Sequence, residues 1–215
     1  MSPPSLLLIH GAGSCAVIYD DWPDSFPTLH VVAVDLQEKI DVGRASMDDY
    51  AERVVVTARS MPQPVALCGW SMGGLVALQA AARAHAHSVI LLDSSPPGEA
   101  QGFDLGIPLA TGTFDPEVVY GSFPPGVEAR PESAHARSER KRGVSVPELL
   151  CPLLVIYGDS FRDERGGAIA RLYGSEERYF PGDDHWALLG DPRVHDAIAD
   201  FLGVQSGSVG PRRDA

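Results

Sequence analysis

A chain of 215 residues, 44% of them hydrophobic, fits one domain whose core needs neither metal nor disulfides. Its 17 Lys and Arg against 29 Asp and Glu give a formal charge of -12 at pH 7, which argues against a nucleic-acid surface because phosphate binding needs clustered positive charge. Cys15, Cys68 and Cys151 are odd in number, widely spaced and without a zinc-ligand pattern, which predicts free thiols in a reducing cytoplasm and no bound metal.

Leu6-Leu7-Leu8-Ile9 is the first apolar run, and it stops at His10-Gly11-Ala12-Gly13. It reads as a buried parallel strand that delivers a Gly-rich loop. No basic region precedes it and it is too short for a signal or a membrane span, so no membrane association is expected. Tyr19, Trp22 and Phe26 then punctuate a stretch of Asp and Pro, which predicts a short helix or loop anchored by aromatic rings. Leu29 to Val34 is the second strand. Ser46 caps a helix running to about Ser60, with Asp48 and Asp49 acidic in its first turn. Val65 to Cys68 is the third strand, Leu75 to Ala86 an Ala-rich helix, and Ser88 to Leu92 the fourth strand, ending at Asp93.

Residues 98–147 break this alternation with many Gly and Pro and a charged patch from Arg137 to Arg142. Leu153 to Tyr157 resumes the sheet. A helix from about Glu164 to Tyr173, a strand from Glu177 to Phe180 and a last helix from Asp191 to Leu202 follow. The Gly/Ser-rich tail from Val204 to Ala215 is expected to be disordered. Strands alternating with helices predict an α/β fold: three layers, α/β/α, around a mostly parallel sheet with right-handed crossovers. The core is assigned to residues 1–97 and 148–203 and the insertion to 98–147.

The chemistry centres on Gly69-Trp70-Ser71-Met72-Gly73-Gly74, set between the third strand and its helix. This is the Gly-x-Ser-x-Gly pattern in its required setting. A strand turning straight into a helix leaves no room for side chains at Gly69 and Gly73, and it lifts the Ser71 hydroxyl to a helix N-terminus that favours negative charge. An acyl-transfer serine also needs a base, an acid to orient the base, and donors for the oxyanion. His185, on the loop after the last strand, is the candidate base.

With these motifs in place the chain resembles the α/β-hydrolase fold superfamily, in its compact branch with His-Gly oxyanion loops and Gly-x-Ser-x-Gly-Gly elbows. The resemblance covers residues 6–97 and 150–202. It implies oxyanion donors at the backbone N–H of Met72 and of Ala12, a lid where the insertion falls, and a sheet of about six strands, since the two usual leading strands have no room before Leu6. Similar proteins carry the acid three residues past the Gly that closes the penultimate strand. Here that residue is Phe161. Three alternatives stand: Asp159, directly after Gly158; Asp93, at the end of the fourth strand; and Asp163, if the loop is longer by two.

Trp70 and Phe103 are the candidate substrate contacts, Trp70 at the pocket floor and Phe103 with Leu105, Ile107, Leu109, Phe114, Val118, Val119 and Phe123 on an apolar inner face of the lid. The expected activity is a serine hydrolase cleaving a small or medium ester, lactone or thioester without a cofactor. The basic patch is either a solvated helix face or a contact for coenzyme A or a carrier-protein arm. A cofactor-free lyase or acyltransferase, and a ligand-binding accessory protein, are the competing readings.

Overall fold

The computed structural model describes residues 3–146 and 148–207. The predicted alternation is realised as β1 (Ser5–Ile9), α1 (Trp22–Ser25), β2 (Val31–Val34), α2 (Met47–Ser60), β3 (Val65–Trp70), α3 (Met72–Ala84) and β4 (Ser88–Leu92). The insertion contributes α4 (Gly98–Gln101), β5 (Thr113–Phe114), α5 (Pro116–Tyr120), β6 (Glu132–Ser133) and α6 (Ala134–Arg142). The core then resumes with β7 (Leu153–Tyr157), α7 (Gly167–Tyr173), β8 (Glu176–Tyr179), α8 (Ala187–Gly190) and α9 (Pro192–Leu202).

Six strands form one sheet in the order β2-β1-β3-β4-β7-β8, and every pairing in it is parallel. Side chains of a strand alternate between faces, and the core divides accordingly. Leu7 and Ile9 of β1 pack with α2 and α3 on one face, while Leu6 and Leu8 pack on the other with Tyr19, Trp22 and Phe26 and with Val194 and Ile198 of α9. Both faces being covered explains why the strands read as continuous apolar runs.

Local signals set several element ends. Ser46 and Asp49 form a reciprocal capping box at the start of α2, worth about 1 kcal/mol. β3 runs two residues beyond the expected Cys68 because Trp70 still pairs with Leu92 of β4. α7 begins later than the expected Glu164: the N–H groups of Arg165 and Gly166 both reach the Phe161 carbonyl at 3.1 Å, forming a widened turn before the regular helix.

Two expectations need correction. Phe103, Leu105, Leu109 and Val118 are 54%, 71%, 47% and 82% exposed, so they do not form an apolar inner face of the insertion. Polar groups fasten the insertion instead: Arg130 makes a two-pronged ion pair with Asp35 at 2.9 Å, and Glu132 is fully buried against the Gly-rich loop. Residues 204–207, expected to begin a disordered tail, run back along the core. Val204 packs there and the Gly207 N–H donates to the Ser25 carbonyl at 2.8 Å; residues 208–215 lie outside the described residues. Cys68 is buried while Cys15 and Cys151 are partly so, and all three are free thiols. Among the described residues no helix is long and apolar enough to cross a membrane.

Candidate active site

The strand register brings the carboxyl ends of the central strands level. Ile9 pairs with Gly69, Trp70 with Leu92, and Leu92 with Ile156, so the residues that follow each strand gather at one edge. β1 connects to β2 on one side while β3 begins the other side. The edge between β1 and β3 is therefore the point at which an open parallel sheet forms a crevice.

Ser71 is the single residue between β3 and α3, at φ 56° and ψ -122°. A non-Gly residue there is strained, by about 1–3 kcal/mol, and persists only when its surroundings hold it. They do so here: the Ser71 N–H donates to Leu92 O at 2.9 Å, and its carbonyl accepts from Ser95 N at 2.8 Å and Gly74 N at 3.2 Å. A Cβ on Gly69 would stand 2.2 Å from Gly73 O, and one on Gly73 2.2 Å from Ile9 O, which is the crowding expected of this turn. Met72 is the first residue of α3 and fully buried, so its N–H has no acceptor within the helix. The loop after β1 touches the turn directly, since a Cβ on Gly11 would meet Ser71 Cβ at 2.9 Å. His10 braces that loop from beneath. Its Nδ1 lies 2.8 Å from Gly11 O, and its Nε2 accepts the Leu36 N–H at 3.0 Å and lies 3.6 Å from Asp35 Oδ1.

His185 lies on the loop between β8 and α8, and its Nδ1 is 3.1 Å from Asp93 Oδ2. Asp93 is fully buried, and its other oxygen accepts the Gly158 N–H at 3.2 Å. It too has a left-handed backbone, at φ 40°. Of the three candidate acids, Asp93 alone meets the histidine. Asp159 turns away: its carboxylate accepts from the Tyr179 hydroxyl and, at 2.9 Å, from Gly182 N, so it pins the loop that carries His185 rather than the ring. Asp163 is exposed in the widened turn before α7. Phe161, at the position where the resemblance leads one to expect the acid, stands edge-on to the His185 ring at 5.3 Å. Trp70 stacks on the ring's other neighbourhood, 4.5 Å between centroids, and its Nε1–H donates to His185 O at 2.8 Å.

Ser71, His185, Ala12 and Trp70 share the wall of a cavity of about 520 Å³. The insertion adds Tyr120, Phe123 and Arg140, and Phe161, Arg165, Asp184 and Trp186 are also in the wall. Phe103 is elsewhere: its ring covers Gly98 and Gly143, so it does not line the cavity, where the insertion places Tyr120 and Phe123 instead. Trp186 and Arg165 were not singled out by sequence. Trp186 had one available signal, its position next to His185, whereas nothing in the spacing of Arg165 points inward. Among the described residues no group of three or more His, Cys, Asp or Glu side chains is placed to hold a metal ion.

A profile of the Alpha/beta hydrolase family matches residues 6–201. The chain belongs to the alpha/beta hydrolase family. That match takes in the elbow, Asp93 and His185. Within the family, a 77-residue stretch, 35% of this chain, is 40% identical to the pimeloyl-[acyl-carrier protein] methyl ester esterase of Neisseria meningitidis serogroup A and spans 25% of that protein. The chain thus matches only about a quarter of that relative's length. Two solved structures of similar fold are the type II thioesterase BorB of the borrelidin biosynthetic cluster (TM-score 0.66, 20% identity, 95% of this chain and 93% of that one) and a lipase-esterase related protein from Clostridium acetobutylicum (TM-score 0.66, 16% identity, 93% of this chain and 95% of that one).

Proposed function

We propose that this alpha/beta hydrolase cleaves a small or medium carboxylic ester or thioester through an acyl-Ser71 intermediate. The observation that carries the reading is the buried Asp93 carboxylate 3.1 Å from His185 Nδ1, on a histidine that shares one cavity with the strained Ser71. Asp93 holds the Nδ1–H tautomer, which leaves Nε2 free to accept a proton. Ser71 Oγ attacks the substrate carbonyl carbon as its proton passes to Nε2, and the carbonyl oxygen becomes an oxyanion facing the Ala12 and Met72 N–H groups. His185 returns the proton to the departing alcohol or thiol. Water then enters, gives its proton to Nε2, attacks the acyl carbon, and the acid leaves as Ser71 regains its hydrogen. The names of the relatives, an esterase acting on a carrier-bound ester and a type II thioesterase, support ester and thioester chemistry and, as a finer reading, a carrier arm as the substrate's handle.

Intact mass after treatment with a fluorophosphonate tests this reading, because the reagent reacts quickly only with an activated serine. One adduct is expected on the native chain and none on Ser71→Ala. A folded native chain that stays unmodified while a ligand stabilises it would move the protein to a binding role. A second expectation concerns the ring that holds His185. Trp70→Phe keeps the stacking surface but loses the 2.8 Å bond to His185 O, and kcat on a p-nitrophenyl ester should fall about fivefold to tenfold, with KM moving less.

A further inference from the structure

Beside the cavity of Ser71 and His185 lies a smaller hollow of about 160 Å³. Its wall holds Arg137, Arg140 and Lys141 of α6 together with Arg165, and no carboxylate. Arg140 and Arg165 also line the larger cavity, so the two spaces adjoin. The chain as a whole has 29 acidic against 17 basic residues. Even so, among the described residues none of these four cations forms a salt bridge.

Both central guanidiniums are held in place without a direct ion pair. Arg140 donates to the Tyr120 hydroxyl at 3.2 Å, and its Nε is buried without an acceptor. Arg165 lies over the Phe161 ring, 3.6 Å from its centroid. Desolvation by burial lowers the affinity of Arg165 for its proton; the charge of Asp93 opposes this, and that of Arg140 adds to it. Like charges gathered in a part-buried space repel, and a buried donor without an acceptor is costly. An oxyanion seated there offsets the repulsion, and the planar fork of an arginine suits the paired oxygens of a carboxylate or phosphate.

We propose that the substrate processed at Ser71 carries an oxyanion, a carboxylate or a phosphate, away from the scissile carbonyl, and that Arg140 and Arg165 seat it. This rests on the hydrolase reading given above. Arg137 and Lys141 strengthen the field around the seat.

The test uses matched substrate pairs on the full chain: p-nitrophenyl esters of one chain length ending in a carboxylate or in its methyl ester, and thioesters of one acyl group on coenzyme A or on neutral N-acetylcysteamine. The native chain is expected to favour a charged member over its neutral match in kcat/KM by about tenfold or more. Arg140→Gln combined with Arg165→Gln should bring that ratio close to one. If the double variant does not fold, Arg140→Gln alone carries the same comparison. Preference within the ester pair identifies the anion as a carboxylate of the acyl group, and preference within the thioester pair as a phosphate of the leaving group. Equal rates within both pairs, or a ratio untouched by the substitutions, would overturn the proposal. Anion binding is also read without turnover, from the rise in melting temperature of Ser71→Ala protein in glutarate or inorganic phosphate. A rise lost in the arginine variants, with no ester cleaved by the native chain, would remove the hydrolase reading and keep the anion seat.

Discussion

Asp93→Asn is expected to lower kcat about 10⁴-fold while KM and the melting temperature stay near native. The backbone tolerates the change, because φ 40° is a left-handed value that Asn adopts as readily as Asp. What fails is the proton's position. The Gly158 N–H, 3.2 Å away, needs an acceptor, so the asparagine oxygen has to face it and the amide NH₂ turns toward His185 Nδ1. Nδ1 must then accept, and the ring proton moves to Nε2, the atom that would receive the Ser71 proton. Steady-state kinetics on one p-nitrophenyl ester, with a melting curve beside it, measures this. Asp159→Asn and Asp163→Asn are the controls, and both should keep kcat near native. A large loss at Asp159 with Asp93→Asn still active would reverse the assignment, since Asp159 contacts the Tyr179 hydroxyl and Gly182 but not the His185 ring.

The second large effect is expected at Glu132, far from the reacting atoms. Its fully buried carboxylate accepts from Gly13 N at 2.9 Å, Gln37 Nε2 at 3.3 Å, Ser133 N at 2.7 Å and the Tyr50 hydroxyl. Burial, and after it the Glu132 charge, hold the Tyr50 hydroxyl above the usual phenol range, so Tyr50 remains a donor at every ordinary pH. Glu132→Ala strands several donors in the core and should cost about 3–5 kcal/mol, a fall in melting temperature of about 6–20 °C for a chain of this size. Glu132→Gln should be milder, because the Tyr50 hydroxyl can rotate to accept from the new NH₂ while the amide oxygen still takes Gly13 N–H, leaving the Ser133 N–H as the one donor that loses its acceptor. Gly13 directly follows Ala12, whose N–H faces the proposed oxyanion. Among variants that remain folded, kcat should therefore fall more than KM rises. An unchanged melting temperature for Glu132→Ala would show that the insertion is not fastened through this carboxylate.

The insertion is where sequence reading and structure part most. A lid normally announces itself by an apolar inner face, yet Leu105 and Val118 are the most exposed of its large hydrophobic side chains among the described residues. Its attachment runs through Arg130 to Asp35 and Glu132 to Gly13, pairs 95 and 119 residues apart in the chain. A single Arg or Glu in a Gly/Pro-rich stretch has no periodicity that marks it as buried.

The sequence by itself determined the strand and helix alternation, because a parallel strand covered on both faces must be a continuous apolar run and an amphipathic helix must repeat at helical spacing. It determined the Ser71 elbow for an equally local reason: strand, turn and helix are consecutive, and the glycines are required by contacts among those few residues. His185 was legible as a loop residue before the last helices. Only the tertiary structure put Asp93 against the His185 ring, because the two lie 92 residues apart and their meeting depends on the strand order. β4 sits between β3 and β7 in the sheet, which sets the end of β4 beside the elbow and leaves Asp159, at the end of β7, to tie down the loop that returns over it. The same lateral ordering gathered Arg140 and Arg165 beside one cavity, a proximity of charges that no spacing along the chain encodes.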